Sequence, residues 1–176
     1  MSRDEKKGTS MFSQTTLLIV EDDVAVMAAL YEVLHDRGYR VITARSTQEA
    51  ETALQHLGEA AIDLVISDIH LTRRPEICEG YVLYQHWTAT YPSVPFILMS
   101  AYPGSRDLPD IQARAVCFLE KPFETEALMQ CIQDTLACRA RQDQPRQPGP
   151  GRDHTVVPSA DAATTERGQE PPPLNA

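Results

Sequence analysis

The sequence lacks the features that would place it outside the cell, in a membrane or on nucleic acid. Its first ten residues are polar and of mixed charge, so they have no apolar core of a secretory signal. No apolar run approaches the roughly 20 residues that a membrane-spanning helix needs. The net charge of −9 leaves no excess of lysine and arginine for phosphate contacts. We therefore expect a cytoplasmic protein without a membrane span or direct nucleic-acid binding.

The cysteine pattern indicates neither a metal site nor a disulfide framework. The chain has four cysteines, which form no C-x-x-C pair and no ligand spacing with histidine. Reduced thiols, as in most cytoplasmic proteins, are therefore expected at all four positions. These positions are Cys78, Cys117, Cys131 and Cys138.

The chain divides into an ordered domain and two polar ends. Residues 139–176 hold seven of the thirteen prolines and no aromatic residue. Such a segment cannot bury enough apolar surface to offset the entropy lost on ordering. We expect a disordered leader over 1–14, an ordered domain over 15–138 and a disordered tail over 139–176. The leader carries +1 and the tail is neutral, so the domain itself carries −10.

Short apolar runs alternate with helical patterns through the ordered domain. The five predicted strands cover residues 17–20, 39–43, 63–68, 94–99 and 115–119. Between them, apolar residues recur at helical spacing, as in 24–36, where Gly38 marks the end of the helix. Five β-α units in alternation predict an α/β fold with a parallel sheet.

Local signals mark where several of the helices begin and end. Ser46 with Glu49 three residues later is a capping box, which predicts a helix starting there. Thr125 is the predicted cap of the last helix, which we expect to end near Cys138. Pro109 lies inside the segment 104–114, so a short or irregular helix is expected there.

Chemically distinctive side chains follow the ends of the predicted strands. Glu21 and Asp22 follow the first strand, Asp68 ends the third, Ser100 follows the fourth and Lys121 lies just past the fifth. Because the carboxyl ends of parallel strands meet at one edge of the sheet, these side chains are expected to converge. Taken singly, each is explained as well by a helix cap or a loop, but a set of five is not.

The chemistry of this set indicates phosphoryl acceptance. Carboxylates brought together repel one another, and Mg²⁺, which prefers oxygen ligands and phosphate, relieves the repulsion. A nucleophilic carboxylate beside Mg²⁺, with a lysine and a hydroxyl, forms a phosphoryl-accepting site. The product would be an acyl phosphate on Asp68.

These motifs resemble the receiver domain of two-component response regulators. The resemblance covers roughly residues 15–138 and rests on four segments taken together. They are Leu-Ile-Val-Glu21-Asp22-Asp23, Asp63-Leu-Val-Ile-Ser-Asp68, Ser100-Ala101 and Lys121-Pro122-Phe123. The resemblance implies a flavodoxin-like (βα)5 fold with strand order 2-1-3-4-5 and Asp68 as the phosphoacceptor.

The resemblance also implies three sets of site residues. The Mg²⁺ ligands would be Glu21, Asp22, Asp68 and the backbone carbonyl of His70, with Asp23 as a substitute ligand. The phosphoryl-contacting and switch residues would be Ser100, Ala101, Lys121 and Phe118, although a plain core aromatic is the alternative for Phe118. His70 and Tyr102 stand at positions that tune phosphoryl lifetime in the family, and we expect their bulk to hinder the attacking water; two surface aromatics without kinetic consequence are the alternative.

The segment after Asp68 departs from the family pattern. Thr72 stands where the family usually has proline, and Gly80 lies twelve residues beyond Asp68, so this loop is lengthened by about four residues. Its Arg73 and Arg74 either recognise an anionic partner or form a solvated basic pair.

A stand-alone receiver is the function that the resemblance implies. A sensor histidine kinase or a phosphotransfer protein would phosphorylate Asp68, and a downstream protein, which the sequence does not name, would read the result. Because no output domain follows, we expect no DNA binding in cis and no enzyme in the usual sense. A phosphorylation-independent interaction module and a phosphate sink are the alternatives. A hydrolase is disfavoured because His70 stands where such phosphatases have a second acid.

Overall fold

The computed structural model describes residues 14–72, 74, 76–113 and 116–142. The leader up to residue 13, the tail beyond 142 and Arg73 lie outside the described residues. The strands are β1 (Thr16–Val20), β2 (Arg40–Ala44), β3 (Leu64–Asp68), β4 (Phe96–Ser100) and β5 (Cys117–Glu120). The helices are α1 (Val24–Asp36), α2 (Thr47–Leu57), α3 (Glu79–Thr90), α4 (Pro109–Gln112) and α5 (Thr125–Gln142). Two 3-10 turns cover Glu59–Ala61 and Pro103–Asp107.

The five strands form one parallel sheet in the order β2-β1-β3-β4-β5. This confirms the predicted flavodoxin-like fold and its strand order. In the register of the central pair, Asp68 at the end of β3 lies beside Met99 of β4, one residue before Ser100. The strand ends therefore reach the same edge of the sheet.

The sheet is covered on both faces, which explains why its central strands are continuously apolar. Alternate residues of β1 point to opposite faces, so Leu18 packs with α2 and α3 while Leu17 packs with α1 and α5. The first face includes Leu54 and Trp87, and the second includes Ile132. Each residue of β1 and β3 is buried.

The predicted helix signals are confirmed in three places. The Ser46 hydroxyl accepts from the Glu49 N–H at 3.2 Å, and Glu49 accepts from the Arg45 N–H at 2.8 Å, which closes the cap of α2. Gly38 follows α1 with a φ of 87°, in the left-handed region that favours glycine. Around Pro109 the chain forms only a 3-10 turn and the four-residue α4, as expected.

Helix α5 is longer than predicted. It extends to Gln142, beyond the expected end near Cys138. Arg139 provides the reason, because its Nη1 donates to the carbonyl oxygen of Asp63 at 2.8 Å and holds the last turns against the sheet. No helix among the described residues is both long and apolar enough to span a membrane.

The expectation of four reduced thiols is wrong for two of them. Cys117 of β5 and Cys131 of α5 form a disulfide across a Cα separation of 6.5 Å. Both belong to the second core face, where β5 and α5 pack against one another. The two cysteines lie 14 residues apart in the sequence, and this spacing does not indicate a disulfide. Cys78 and Cys138 are free thiols.

Candidate functional site

Two of the acids that follow β1 have different surroundings. Glu21 is almost fully buried, whereas Asp23 is exposed and caps α1. The Asp23 carboxylate accepts from the N–H groups of Ala25 and Val26 at 2.8 and 3.1 Å. A helix cap is therefore one role that Asp23 already fills. Its place as a substitute metal ligand stays a prediction.

Lys121 brings the buried acids of β1 and β3 together. Its Nζ donates to Glu21 Oε2 at 2.6 Å and to Asp68 Oδ2 at 2.5 Å. The other carboxylate oxygen of Asp68 accepts from the His70 N–H at 2.9 Å. The side chains of all three charged residues are at most 15% exposed. The contacts span 100 and 53 residues of chain, so only the fold creates them.

Burial and charge act against one another in this cluster. Burial raises the pKa of Glu21, and the hydrogen bond from Lys121 only partly offsets that effect. For Lys121, burial lowers the pKa, but the attraction of Asp68 and Glu21 is larger and leaves it raised. Lys121 is therefore a firmly charged ammonium between two carboxylates.

The donor set fits a small divalent cation. Among the described residues, no three acidic, histidine or cysteine side chains are already arranged as a metal site. Glu21 and Asp68 nevertheless direct one carboxylate oxygen each at a single cation, the Lys121 ammonium. Oxygen atoms alone, from carboxylates and a backbone carbonyl, are the ligands that Mg²⁺ takes. We therefore find that the residues present suit Mg²⁺.

Ser100 lies at the centre of a hydrogen-bond network at the end of β4. Its Oγ lies 2.8 Å from Ser105 Oγ, 3.0 Å from the Tyr102 N atom and 3.3 Å from His70 Nδ1. The other nitrogen of this imidazole, Nε2, lies 3.6 Å from Cys78 Sγ. The rings of His70 and Tyr102 meet edge to face, with their centroids 5.6 Å apart.

The remaining predicted site residues lie close by. Ala101 lines an apolar groove of about 400 Å³ that opens beside Lys121 between α1 and the start of α5. Phe118 on β5 is partly buried against the first core face. The Arg106 guanidinium lies over its ring at 6.0 Å from the centroid. Phe118 is thus half in the core and half at the surface.

Gly80 explains how the lengthened loop returns to the end of β3. Its N–H donates to the Ile69 carbonyl at 3.0 Å, and a Cβ atom there would lie 1.7 Å from the Asp68 carbonyl oxygen. Only glycine permits this approach. The glycine that is displaced in the sequence relative to the family pattern therefore stands directly against Asp68.

Sequence reasoning missed three members of the site. Ser105, Arg106 and Cys78 carry no motif, and each reaches the site through a loop whose path depends on the whole fold.

Comparison with known proteins places this chain in a family. Residues 17–133 match the response regulator receiver domain. The chain belongs to this family. A sensor kinase, CckA of Brucella abortus, is 33% identical to the receiver over 132 residues, which is 74% of this chain and 13% of that protein. A transcriptional regulatory protein, GlrR of Escherichia coli, is 34% identical over 121 residues, 68% of this chain and 26% of that protein.

Solved structures agree with the fold of this receiver. A receiver domain protein from Clostridium thermocellum has a TM-score of 0.64 at 17% identity, covering 73% of this chain and 98% of that one. A CheY-like receiver from Methanospirillum hungatei has a TM-score of 0.62 at 22% identity, covering 74% and 99%. At such identities the likeness establishes the fold alone. The receiver spans about an eighth to a quarter of the length of the two relatives named above.

Proposed function

We propose that this receiver accepts a phosphoryl group on Asp68 from a phosphohistidine of a sensor kinase or phosphotransfer protein, with Mg²⁺ as cofactor. The observation that carries the proposal is the convergence of Glu21 and Asp68 on the Lys121 ammonium at one edge of the sheet. A buried carboxylate that contacts an ammonium is suited to become an acyl phosphate, because the ammonium stays in place to stabilise the added negative charge.

The transfer is a displacement at phosphorus. An oxygen of the Asp68 carboxylate forms a bond to phosphorus as the bond from phosphorus to the histidine nitrogen breaks, and the leaving imidazole keeps the electron pair and takes up a proton. The Lys121 ammonium already touches Asp68 Oδ2, so it stays within reach of the negative charge that arrives. The His70 N–H holds Oδ1 and so orients the carboxylate.

The proposed metal ligands are Glu21, Asp22, Asp68 and the His70 carbonyl. Bound there, Mg²⁺ supplies charge neutralisation between the carboxylates and the phosphoryl oxygens. Glu21, buried beside Asp68, anchors this arrangement, since its carboxylate has only Lys121 as a charged partner in the contacts described.

Mass spectrometry of the intact protein tests phosphorylation directly. With acetyl phosphate and Mg²⁺, we expect a mass gain of one phosphoryl group that depends on Mg²⁺ and is absent in Asp68→Asn. Asp63→Asn is the matched control, since it removes the acid just before the same strand. The proposal is wrong if the wild type gains no mass or if Asp68→Asn gains as much.

We further propose that phosphorylation redirects the Ser100 hydroxyl toward the phosphoryl group and shifts the population of Phe118 arrangements. Ser100 is buried at the end of β4, and Phe118 stands on the neighbouring strand β5. The two surfaces so produced differ in affinity for a downstream protein. A phosphate sink would show the mass gain without this change in Phe118, and a phosphorylation-independent module would show neither.

His70 and Tyr102 are proposed to lengthen the lifetime of the acyl phosphate. Their rings pack edge to face beside Ser100 and restrict the approach of water. We expect His70→Ala with Tyr102→Ala to speed dephosphorylation about tenfold, an effect of about 1.4 kcal/mol on the barrier. The decay of the phosphorylated mass after removal of the donor measures it. An unchanged or slower decay would exclude the role.

We place the protein in the cytoplasm, where kinases of this kind act. The Cys117–Cys131 disulfide is unusual for that compartment, where a glutathione pool keeps most thiols reduced.

A further inference from the structure

The hydroxyl of Ser100 has a full set of hydrogen-bond partners within the protein. A serine hydroxyl offers one donor and two acceptor lone pairs. The Tyr102 N–H and the Ser105 hydroxyl donate to it at 3.0 and 2.8 Å. Its own O–H is then left to donate to His70 Nδ1, 3.3 Å away. Ser100 can therefore bond to a phosphoryl group only by giving up a partner that it already has.

Ser105 ties an otherwise exposed turn to this hydroxyl. It lies in the 3-10 turn Pro103–Asp107, where it is the one buried residue, with 2% of its surface exposed. The segment that follows the turn is held separately, because Leu108 and Ile111 pack against the first core face and Asp110 accepts from the Tyr81 hydroxyl. The Ser105 side chain is thus the inner anchor of the turn.

The next residue of the same turn reaches Phe118. Arg106 Nε donates to Glu120 Oε2 at 2.9 Å, and the guanidinium carbon lies 6.0 Å from the Phe118 ring centroid. The Arg106 side chain is 63% exposed. Exposed ion pairs contribute little to stability, whereas a buried hydroxyl that loses its hydrogen-bond partner destabilises the structure. Within the turn, the position of the Arg106 guanidinium over Phe118, here called the Arg106 cover, therefore depends more on the Ser105 hydrogen bond than on the Arg106 ion pair.

We propose that Ser105 is a positioning residue that couples the Ser100 hydroxyl to the Arg106 cover over Phe118. This inference rests on the proposed phosphorylation of Asp68. Hydrogen bonds to a charged phosphoryl oxygen are stronger than those between neutral hydroxyls. Rotation of the Ser100 side chain toward the phosphoryl group carries its Oγ away from Ser105 as well as from His70. Ser105 then loses its acceptor, the turn moves and Arg106 leaves the Phe118 ring. The signal thus passes along one turn of chain from β4 to β5.

Fluorine NMR of protein labelled with 4-fluorophenylalanine tests the coupling. The Phe118 signal is assigned by Phe118→Leu, and Phe96, buried in the first core face, is an internal reference for correct folding. In the wild type, acetyl phosphate with Mg²⁺ should move the Phe118 signal. In Ser105→Ala without donor, we expect the fraction of protein in the phosphorylated-like position to rise about three- to tenfold, the size of one hydrogen bond.

Two further variants separate a positioning role from a loss of packing. Ser105→Thr keeps the hydroxyl and should restore the wild-type signal. In a Ser100→Ala background, Ser105→Ala should add no further change, because the bond between the two hydroxyls is already absent. If the Phe96 signal shows that Ser105→Ala does not fold, Ser105→Cys replaces it in the same comparison.

The outcomes distinguish this inference from the proposed function. If the wild type gains no phosphoryl mass, both fall. If it gains the mass but Phe118 in Ser105→Ala matches the wild type with and without donor, only the coupling through Ser105 falls. Additive effects of Ser100→Ala and Ser105→Ala would likewise overturn it.

Discussion

The two acids at the ends of β3 belong to different kinds of structure. Asp63, just before the strand, accepts from the Thr16 N–H at 2.8 Å and pairs with Arg139 at 3.4 Å, with 36% of its side chain exposed. Asp68, at the other end, is 11% exposed and contacts the Lys121 ammonium. Asp63 satisfies a backbone donor between β1 and β3. Asp68 is buried against an ammonium, and we call this end of β3, where phosphorylation is proposed, the chemical end of the strand.

Lys121→Met should show the difference between the two ends of β3 most clearly. Removing the ammonium leaves Glu21 and Asp68 buried without their partner, and we expect a loss of about 3–5 kcal/mol in the free energy of unfolding. Mg²⁺ should restore much of this loss, because it replaces the missing cation. Urea unfolding with and without Mg²⁺ measures the effect.

Arg139→Met is the matched change at the other end. Its partner Asp63 is partly exposed, so the loss should be about 1 kcal/mol and independent of Mg²⁺. Equal responses of the two variants to Mg²⁺ would show that the two ends do not differ as described.

Reduction of the disulfide should lower the stability of the fold without changing the proposed phosphorylation of Asp68. Cys117 opens β5, on the side of the sheet where Arg139 lies, and Lys121 follows the other end of that strand. The disulfide closes a loop with a sequence separation of 14 residues. Reducing it should lower the free energy of unfolding by about 3 kcal/mol. We expect reduced protein to unfold at lower urea but to gain the phosphoryl mass as before. Alkylation of denatured, unreduced protein should modify two cysteines, and modification of all four would contradict the bond.

Gly80→Ala should disturb the chemical end by crowding. The added Cβ would lie 1.7 Å from the Asp68 carbonyl oxygen, so the start of α3 must move away. We expect a loss of about 2 kcal/mol in unfolding free energy and slower phosphorylation. Gly58→Ala is the control, because its φ is 78° but nothing lies within 4 Å of the added atom. It should cost about 1 kcal/mol and leave phosphorylation unchanged. The opposite ranking would contradict the close approach.

The local rules of the chain predicted the fold well. Apolar runs of four and three residues marked β1 and β3, and Ser46 with Glu49 marked the start of α2. Each of these signals involves residues only a few positions apart, so it can be read from the sequence. The end of α5 was predicted too early because Arg139 is fixed by Asp63, 76 residues earlier. The disulfide was missed because the spacing of Cys117 and Cys131 carries no pairing signal and because a cytoplasmic protein is expected to keep its thiols reduced.

The sequence by itself determined which side chains end the strands, and through the alternation of strands and helices it determined that they share an edge. Only the tertiary structure decided what each of them touches. Lys121 reaches Glu21 and Asp68 across 100 and 53 residues, and Ser105 reaches Ser100 from a turn with no regular pattern. Periodicity reports which face a residue occupies, whereas a contact between distant residues depends on how the two faces are packed.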